Sequence, residues 1–257
     1  MKTVMFNSEK GGTGKTTLAT LSAAYLAVRG SRVIVIDFDP QAHATISLNL
    51  PKEPGMFEVL GRGKPITQWL RQPTPEFVAP PGGMRGELVI LPGDEDTQAI
   101  PLRAKDEFAL LEMLEDIDEA FDIAIIDTAP SAGMLLTLSW KASDFVLIPS
   151  QLEFLSMDGV AGTIERAQKS NVKLLGIVPN MYQDTALHEG YLNDLMAAGA
   201  QFGWPIWDRI KLRVEWKEAS ALRRQMWAIN AQMSKARHEA IQFCKRLEAS
   251  LVEVPHV

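Results

Sequence analysis

The segment Glu9-Lys10-Gly11-Gly12-Thr13-Gly14-Lys15-Thr16-Thr17 gathers glycines, lysines and threonines directly after the apolar run Val4-Met5-Phe6. It fits the phosphate-loop pattern G-x-x-x-x-G-K-[ST] with Glu9 in place of the first glycine. Gly11, Gly12 and Gly14 lack a Cβ, so successive backbone N–H groups can close around phosphate oxygens. Lys15 then reaches the β/γ-phosphates, and the Thr16 hydroxyl is placed to ligate Mg²⁺. Lys10 is a second cation at the outer edge of the loop, with no evident work inside one subunit because Lys15 already serves the phosphates. From that edge it can reach a nucleotide held by a second copy of the chain and neutralise transition-state charge in trans, as an arginine finger does.

Hydrolysis at such a loop also needs acids to hold Mg²⁺ and a group to place the attacking water. Asp127 closes the apolar run 122–126, where a carboxylate is costly without a cationic partner. Asp37-Phe38-Asp39-Pro40-Gln41 closes a second run that begins at Arg32. Side chains alternate along a strand, so Asp37 and Asp39 are expected on the same side. Both suit the Mg²⁺ shell, and Asp39, the further out, is the better candidate for orienting water. The expected metal set is therefore Thr16, Asp37, Asp39 and Asp127, with Lys10, Lys15 and Asp39 catalytic.

The elements that position these groups follow from short β-branched runs with helical stretches between them. The runs are 3–6, 32–37, 88–92, 122–127, 145–149 and 174–178, with Ile206 in a last short strand. A helix from about Lys15 to Arg29, closed by Gly30, follows the glycine loop. This alternation predicts an α/β fold, doubly wound, with a mostly parallel sheet covered by helices on both faces. Ligands of such sheets bind beyond the carboxyl ends of the strands, where the loop and all three acids fall. One domain over 1–257 is expected, with an irregular Pro-rich insertion at about 51–86 and a basic helical region at about 205–252. Within the insertion, Met56–Leu60 and Ile66–Leu70 read as short helices and 73–86 as a surface loop.

Five segments, in order, resemble the ParA/MinD family. Lys10–Thr17 resembles its deviant Walker A motif. The segment 37–45, Asp-Phe-Asp-Pro-Gln-Ala-His-Ala-Thr, is similar to its switch I, usually D-x-D-P-Q-G-N-x-T. Ile125-Ile126-Asp127-Thr128-Ala129-Pro130-Ser131 resembles Walker B and switch II. Pro149-Ser150-Gln151-Leu152-Glu153 resembles the P-x-Q-x-E segment of the ParA side, and 176–183 the strand and loop that follow. The resemblance implies an ATPase using ATP and Mg²⁺, in which two copies sandwich the nucleotide. The residues 11–17, namely Gly11, Gly12, Thr13, Gly14, Lys15, Thr16 and Thr17, would cradle it. Asn180 would lie near the adenine and Glu153 at the partner's nucleotide. Ala42-His43 replace the usual Gly-Asn, and Ala129 replaces the first switch II proline. With only six residues before Asn7, the likeness is to the short form that has no operator-binding N-terminal domain.

The family resemblance also implies non-specific DNA binding and a ParB-like or other adaptor that stimulates hydrolysis, serving a plasmid, a chromosome or another cargo. The chain of 257 residues carries a net charge of −6, yet residues 201–257 hold ten Lys and Arg against six Asp and Glu. Arg209, Lys211, Arg213, Arg223 and Arg224 are the candidate DNA contacts, through phosphates and without base readout. A membrane-lying C-terminal helix is the alternative, weakened by Glu248 and Glu253. A metabolic synthetase of the same fold is a third reading, and it has no use for Lys10. The sole cysteine, Cys244, excludes a disulfide framework and a thiolate metal site within one chain. No apolar run approaches the ~20 residues of a membrane span, and no signal segment precedes the first strand, so a cytoplasmic, nucleoid-associated protein is expected.

Overall fold

The computed structural model describes residues 1–80, 82–129, 133–153, 156–227 and 234–253. Pro130 and Ser131 of the switch II segment lie outside the described residues, as do residues 228–233 of the basic C-terminal region. The strands are β1 (Lys2–Phe6), β2 (Arg32–Phe38), β3 (Glu87–Leu91), β4 (Ile123–Thr128), β5 (Phe145–Gln151) and β6 (Lys173–Asn180). They pair in parallel in the order β3-β2-β4-β1-β5-β6. The sequence runs locate all of them, with ends displaced by a residue or two.

Parallel pairing requires a crossover between successive strands. The crossovers carry α1 (Lys15–Arg29), α2 (His43–Ser47), α3 (Pro75–Val78), α4 (Ala109–Glu115), α5 (Met134–Lys141) and α6 (Ser156–Lys169), and α7 (Ala186–Phe202), α8 (Val214–Ala221) and α9 (Lys235–Val252) follow β6. Alternation along the strands divides the core between the two faces. Val33 and Val35 join Val4, Phe6, Leu18 and Leu247 under α1 and α9. Ile34 and Ile36 join Met5, Met113 and Ile164 under α4 and α6. This is the doubly wound α/β architecture.

The register of the central strands fixes where the acids stand. Asp127 is the rung partner of Phe6 on one side and of Asp37 on the other. The carboxyl ends of β1, β2 and β4 are therefore level, and the glycine loop leaves β1 directly beside both acids. Gly14 caps α1 at φ 90, a left-handed conformation natural to glycine. A Cβ there would fall 2.3 Å from Asn180 Nδ2, so the loop closes tightly against the end of β6.

Two regions depart from the sequence expectation. The helices expected at Met56–Leu60 and Ile66–Leu70 shrink to single turns, a π-helical one at Phe57–Gly61 and a 3-10 one at Ile66–Gln68. The expected surface loop at 73–86 is partly packed, since Val78 and Ala79 are buried and Phe77 lies against the core. Its backbone is held from the C-terminal region: Gln225 N–H donates to Phe77 O and Trp227 Nε1–H to Val78 O, both at 2.8 Å. The apolar triplet Phe77-Val78-Ala79 outweighs the surrounding prolines. Beyond β6, the stretch 205–212 runs alongside it, with Ile177 and Tyr182 exchanging backbone hydrogen bonds with Pro205, Trp207, Ile210 and Leu212. Among the described residues, no helix is long and apolar enough to cross a membrane.

That last pairing depends on Gly176. The buried Trp207 indole lies over it, its Nε1–H donating to Leu175 O at 3.1 Å. A Cβ at position 176 would stand 2.0 Å from Trp207 Nε1. Gly176→Ala should lower stability by about 1–3 kcal/mol, the cost of overpacking a filled core. Urea unfolding checks this, and an unchanged midpoint would contradict the packing.

Candidate active site

Lys15 opens α1, and its side chain folds back under the loop. Its ammonium donates to Ser8 O and Lys10 O, each at 3.2 Å. Burial pushes the Lys15 pKa down, while the charges of Asp127 and Asp39 pull it back up. A buried cation held by carbonyls facing a glycine-rich loop is a receptor for anionic oxygen. Next along α1, the Thr16 hydroxyl donates to Asp127 Oδ2 at 2.7 Å. Asp127 is fully buried, and its Oδ1 has no hydrogen-bond partner. Burial drives its carboxyl well above the usual range, and the neighbouring Asp37 adds to the rise. An orphaned oxygen atom on a buried acid, beside a threonine hydroxyl, is the hard-donor chemistry that suits Mg²⁺.

Asp37 plays a different part from the one its position at the strand end suggests. Its Oδ2 accepts from Thr45 N at 2.8 Å and Thr45 Oγ1 at 2.6 Å, and its Oδ1 lies 3.4 Å from Asp39 N. Burial raises its pKa to about 6, against the hydrogen bonds from Thr45 that lower it. Gly93 N–H also donates to Thr45 Oγ1 at 3.3 Å, so Asp37 and Thr45 tie the ends of β2 and β3 to α2. Asp37 is thus occupied as an anchor of the segment 39–45, and the wall of the loop cavity is made by Asp39 instead. That cavity, about 500 Å³, is lined by the loop from Gly11 to Thr17 together with Asp39, Gln41 and His43. Thr45, Gly93, Gln41 and His43 were not singled out from sequence as site residues. The spacing from Asp37 to Thr45, one strand end to one helical turn, is the signal that was available.

Two further cavities flank the loop. On the α8 side, a space of about 460 Å³ is lined by Gly14, Asn180, Met181, Leu212 and Trp216 among others, mostly apolar and of a size for a nucleobase. Asn180 Nδ2 donates to Thr13 O at 2.8 Å, which joins this wall to the loop. On the other side, about 670 Å³ opens between Lys10, Glu153 and Asp158. There the Lys10 ammonium forms an ion pair with Glu153 of its own chain, both side chains about half exposed. Gln151 Nε2 donates to Gly12 O at 2.9 Å and braces the loop from β5, a role not foreseen from sequence. Lys10, Lys15, Asp39, Asp127, Asn180 and Glu153 are therefore brought around one loop.

The five basic candidates do not form one free strip. Arg209 pairs with Glu189 at 3.6 Å and lies over the Tyr182 ring, Lys211 pairs with Asp184 at 2.7 Å, and Arg213 with Glu239 at 2.7 Å. Arg223 and Arg224 follow α8 and reach the cleft beside Thr17, Thr20 and Ser47. Arg224 also lies over the Phe77 ring, at 5.3 Å.

Residues 1–176 match the protein family described as AAA domain. The chain is similar to the chromosome-partitioning ATPase Soj of Thermus thermophilus, 33% identical over 194 residues that span 73% of this chain and 72% of that protein. The structure of McdA from Cyanothece, in an ATP complex, superposes with a TM-score of 0.81 at 19% identity over 100% of this chain and 98% of that one. The cobyrinic acid a,c-diamide synthase of Mycobacterium smegmatis, with a bound ATP analog and magnesium, gives 0.78 at 24% identity over 98% and 96%. These two structural likenesses concern the fold.

The buried anchor generates a pH test. Asp37 has a folded-state pKa of about 6, above the ordinary 3.8. Its contribution to stability is therefore fully present below pH ~4 and is lost as pH rises through ~6. Two pKa units correspond to about 3 kcal/mol. In metal-free protein, Asp37→Asn should flatten the fall in unfolding free energy between pH 4 and 7 by about that amount. Urea titrations at several pH values read this, and a wild-type slope in the variant would contradict the assignment.

Proposed function

The chain belongs to the ParA/MinD family of P-loop ATPases, and on that premise we propose that it works as a pair of copies closed over ATP that binds DNA without reading its sequence. Hydrolysis then releases the pair, and a partner adaptor protein on the cargo stimulates it. The observation that carries the reading is the Thr16–Asp127 hydrogen bond under the glycine loop, with Asp127 Oδ1 left unpartnered.

The backbone of Gly11–Thr17 and the Lys15 ammonium bind the phosphates of ATP. The Thr16 hydroxyl, with Asp127 behind it, would hold Mg²⁺. When bound, that ion neutralises charge developing on the phosphate oxygens. Asp39, at the wall of the same cavity, orients the attacking water, and Asn180 faces the base. Lys10 exchanges its own Glu153 for the nucleotide of the second copy. An exposed ion pair is worth roughly 0–1 kcal/mol, so that exchange costs little. A metabolic synthetase of similar fold gains nothing from a lysine so placed.

For DNA, Arg223 and Arg224 are the leading contacts because Arg209, Lys211 and Arg213 are engaged with acids. Phosphates compete for those three only by displacing Glu189, Asp184 and Glu239. Two copies double the patch, so affinity becomes useful only in the ATP-bound pair. This accords with a nucleoid-associated protein.

Lys10→Ala should lower kcat by about 100-fold or more while nucleotide affinity stays within about threefold, given the rate effect of a trans-acting cation. Asp39→Ala should accumulate an ATP-bound dimer that hydrolyses slowly. Light scattering with steady-state kinetics checks both, and a monomeric Lys10→Ala protein with undiminished hydrolysis would sink the trans role. ATP-bound protein should retain arbitrary duplex DNA in a salt-sensitive manner, and Arg223→Ala with Arg224→Ala should weaken it more than Arg209→Ala. Binding to liposomes with indifference to DNA, measured by co-sedimentation, would transfer the reading to a membrane surface.

A further inference from the structure

The switch segment carries a side chain that neither the loop nor the acids require. His43 begins α2, and its Nδ1 stands 3.5 Å from Asp39 Oδ2. The other carboxylate oxygen, Oδ1, accepts from Gln41 N–H at 2.9 Å. Both oxygen atoms of Asp39 are thus addressed by the next few residues of its own segment. The terminal torsion of an aspartate is broad and nearly two-fold, so a carboxylate with one contact still turns. Gln41 N–H holds one oxygen by a hydrogen bond, and the imidazole adds a longer contact, at 3.5 Å, on the other.

The position of the imidazole is itself built. Ala42, just before it, sits at φ 55 in the left-handed region, which costs an alanine roughly 1–2 kcal/mol. Its methyl is fully buried, and that packing offsets the strain. Two residues after His43, Thr45 is fixed by its two hydrogen bonds to Asp37. His43 is held between these buried anchors, and its exposed part lines the loop cavity with Gly11–Thr17 and Asp39. A surface imidazole beside an acid normally contributes little. Here the imidazole and Asp39 both line the cavity walled by the phosphate loop, so a bound nucleotide would lie beside the pair. Contacts of this kind are commonly long before substrate binds and shorten in the complex.

We propose that His43 is a positioning residue for ATP hydrolysis, holding the Asp39 carboxylate in the orientation that receives the attacking water. The inference rests on the ATPase reading above and adds a residue to it. Gln41 and His43 act together, one on each oxygen atom, and neither needs to touch the nucleotide.

The test compares wild type with His43→Ala, His43→Asn, Asp39→Asn and the double variant His43→Ala/Asp39→Asn, using MgATP. His43→Ala should lower kcat about 10-fold or more with KM and fluorescent-nucleotide affinity within about twofold, the pattern of misplacement without lost binding. His43→Asn keeps a short N–H donor and should recover a substantial part of the rate. Adding His43→Ala to Asp39→Asn should change the residual rate no further, because the histidine acts through that carboxylate. An unchanged kcat in His43→Ala, a rise in KM alone, or a full second loss on the Asp39→Asn background would overturn the proposal. A Lys15→Ala control separates the two levels. If wild type neither hydrolyses ATP nor binds it more tightly than Lys15→Ala, the ATPase reading itself fails and the positioning role falls with it.

Discussion

Two carboxylates are buried as rung neighbours at the middle of the sheet, and most of the site follows from what each needs. Asp37 and Asp127 face one another across β2 and β4 in an environment that penalises charge. Asp37 is satisfied internally by two donors of Thr45, and that bond carries the switch segment with it. Asp127 receives one hydroxyl and keeps a bare oxygen atom. The fold is thus left with an electrostatic demand that a cation at the loop would meet. Lys15, itself buried, supplies part of the field, since each of the two groups moderates the other's shift.

From this arrangement the division of labour among the three acids follows. Asp127 is the buried acid behind Thr16, Asp37 the anchor of the segment 39–45, and Asp39 the one of the three at the cavity wall. The loop is likewise braced from several strands: Asn180 from β6 at Thr13, Gln151 from β5 at Gly12, and Glu153 at Lys10. The first two bonds are short and go to backbone carbonyls. The third joins two half-exposed side chains and is the one contact here suited to being exchanged. The loop backbone and the Lys10 ammonium are thus held by different neighbours.

The sheet was legible because its strands are near-continuous β-branched runs, the pattern of a parallel sheet buried on both faces. The glycine loop and the strand-end acids were legible because their spacing is dictated by phosphate and metal chemistry. The role of Asp37 was not, since alternation predicts a side but cannot reveal that Thr45 returns beneath it from α2. Nor could the basic strip be judged from 205–224 alone. Its neutralising acids are Asp184 just before α7, Glu189 in α7 and Glu239 in α9, up to 27 positions away in the chain. The burial of Phe77-Val78-Ala79 was hidden by prolines on both sides, and its partners Gln225 and Trp227 are distant in sequence. The replacement of Gly-Asn by Ala42-His43 was visible, but its meaning depends on φ at Ala42 and the contact with Asp39.

If Asp127 stands behind Mg²⁺ at the loop as proposed, its unpartnered oxygen makes nucleotide binding and Mg²⁺ binding one event. Affinity for a non-hydrolysable ATP analogue, measured by calorimetry across a Mg²⁺ series in wild type and Asp127→Asn, tests it most directly. Wild type should tighten as Mg²⁺ is added. The variant should bind the analogue with little response to Mg²⁺. Equal Mg²⁺ dependence in both proteins would contradict that role of Asp127.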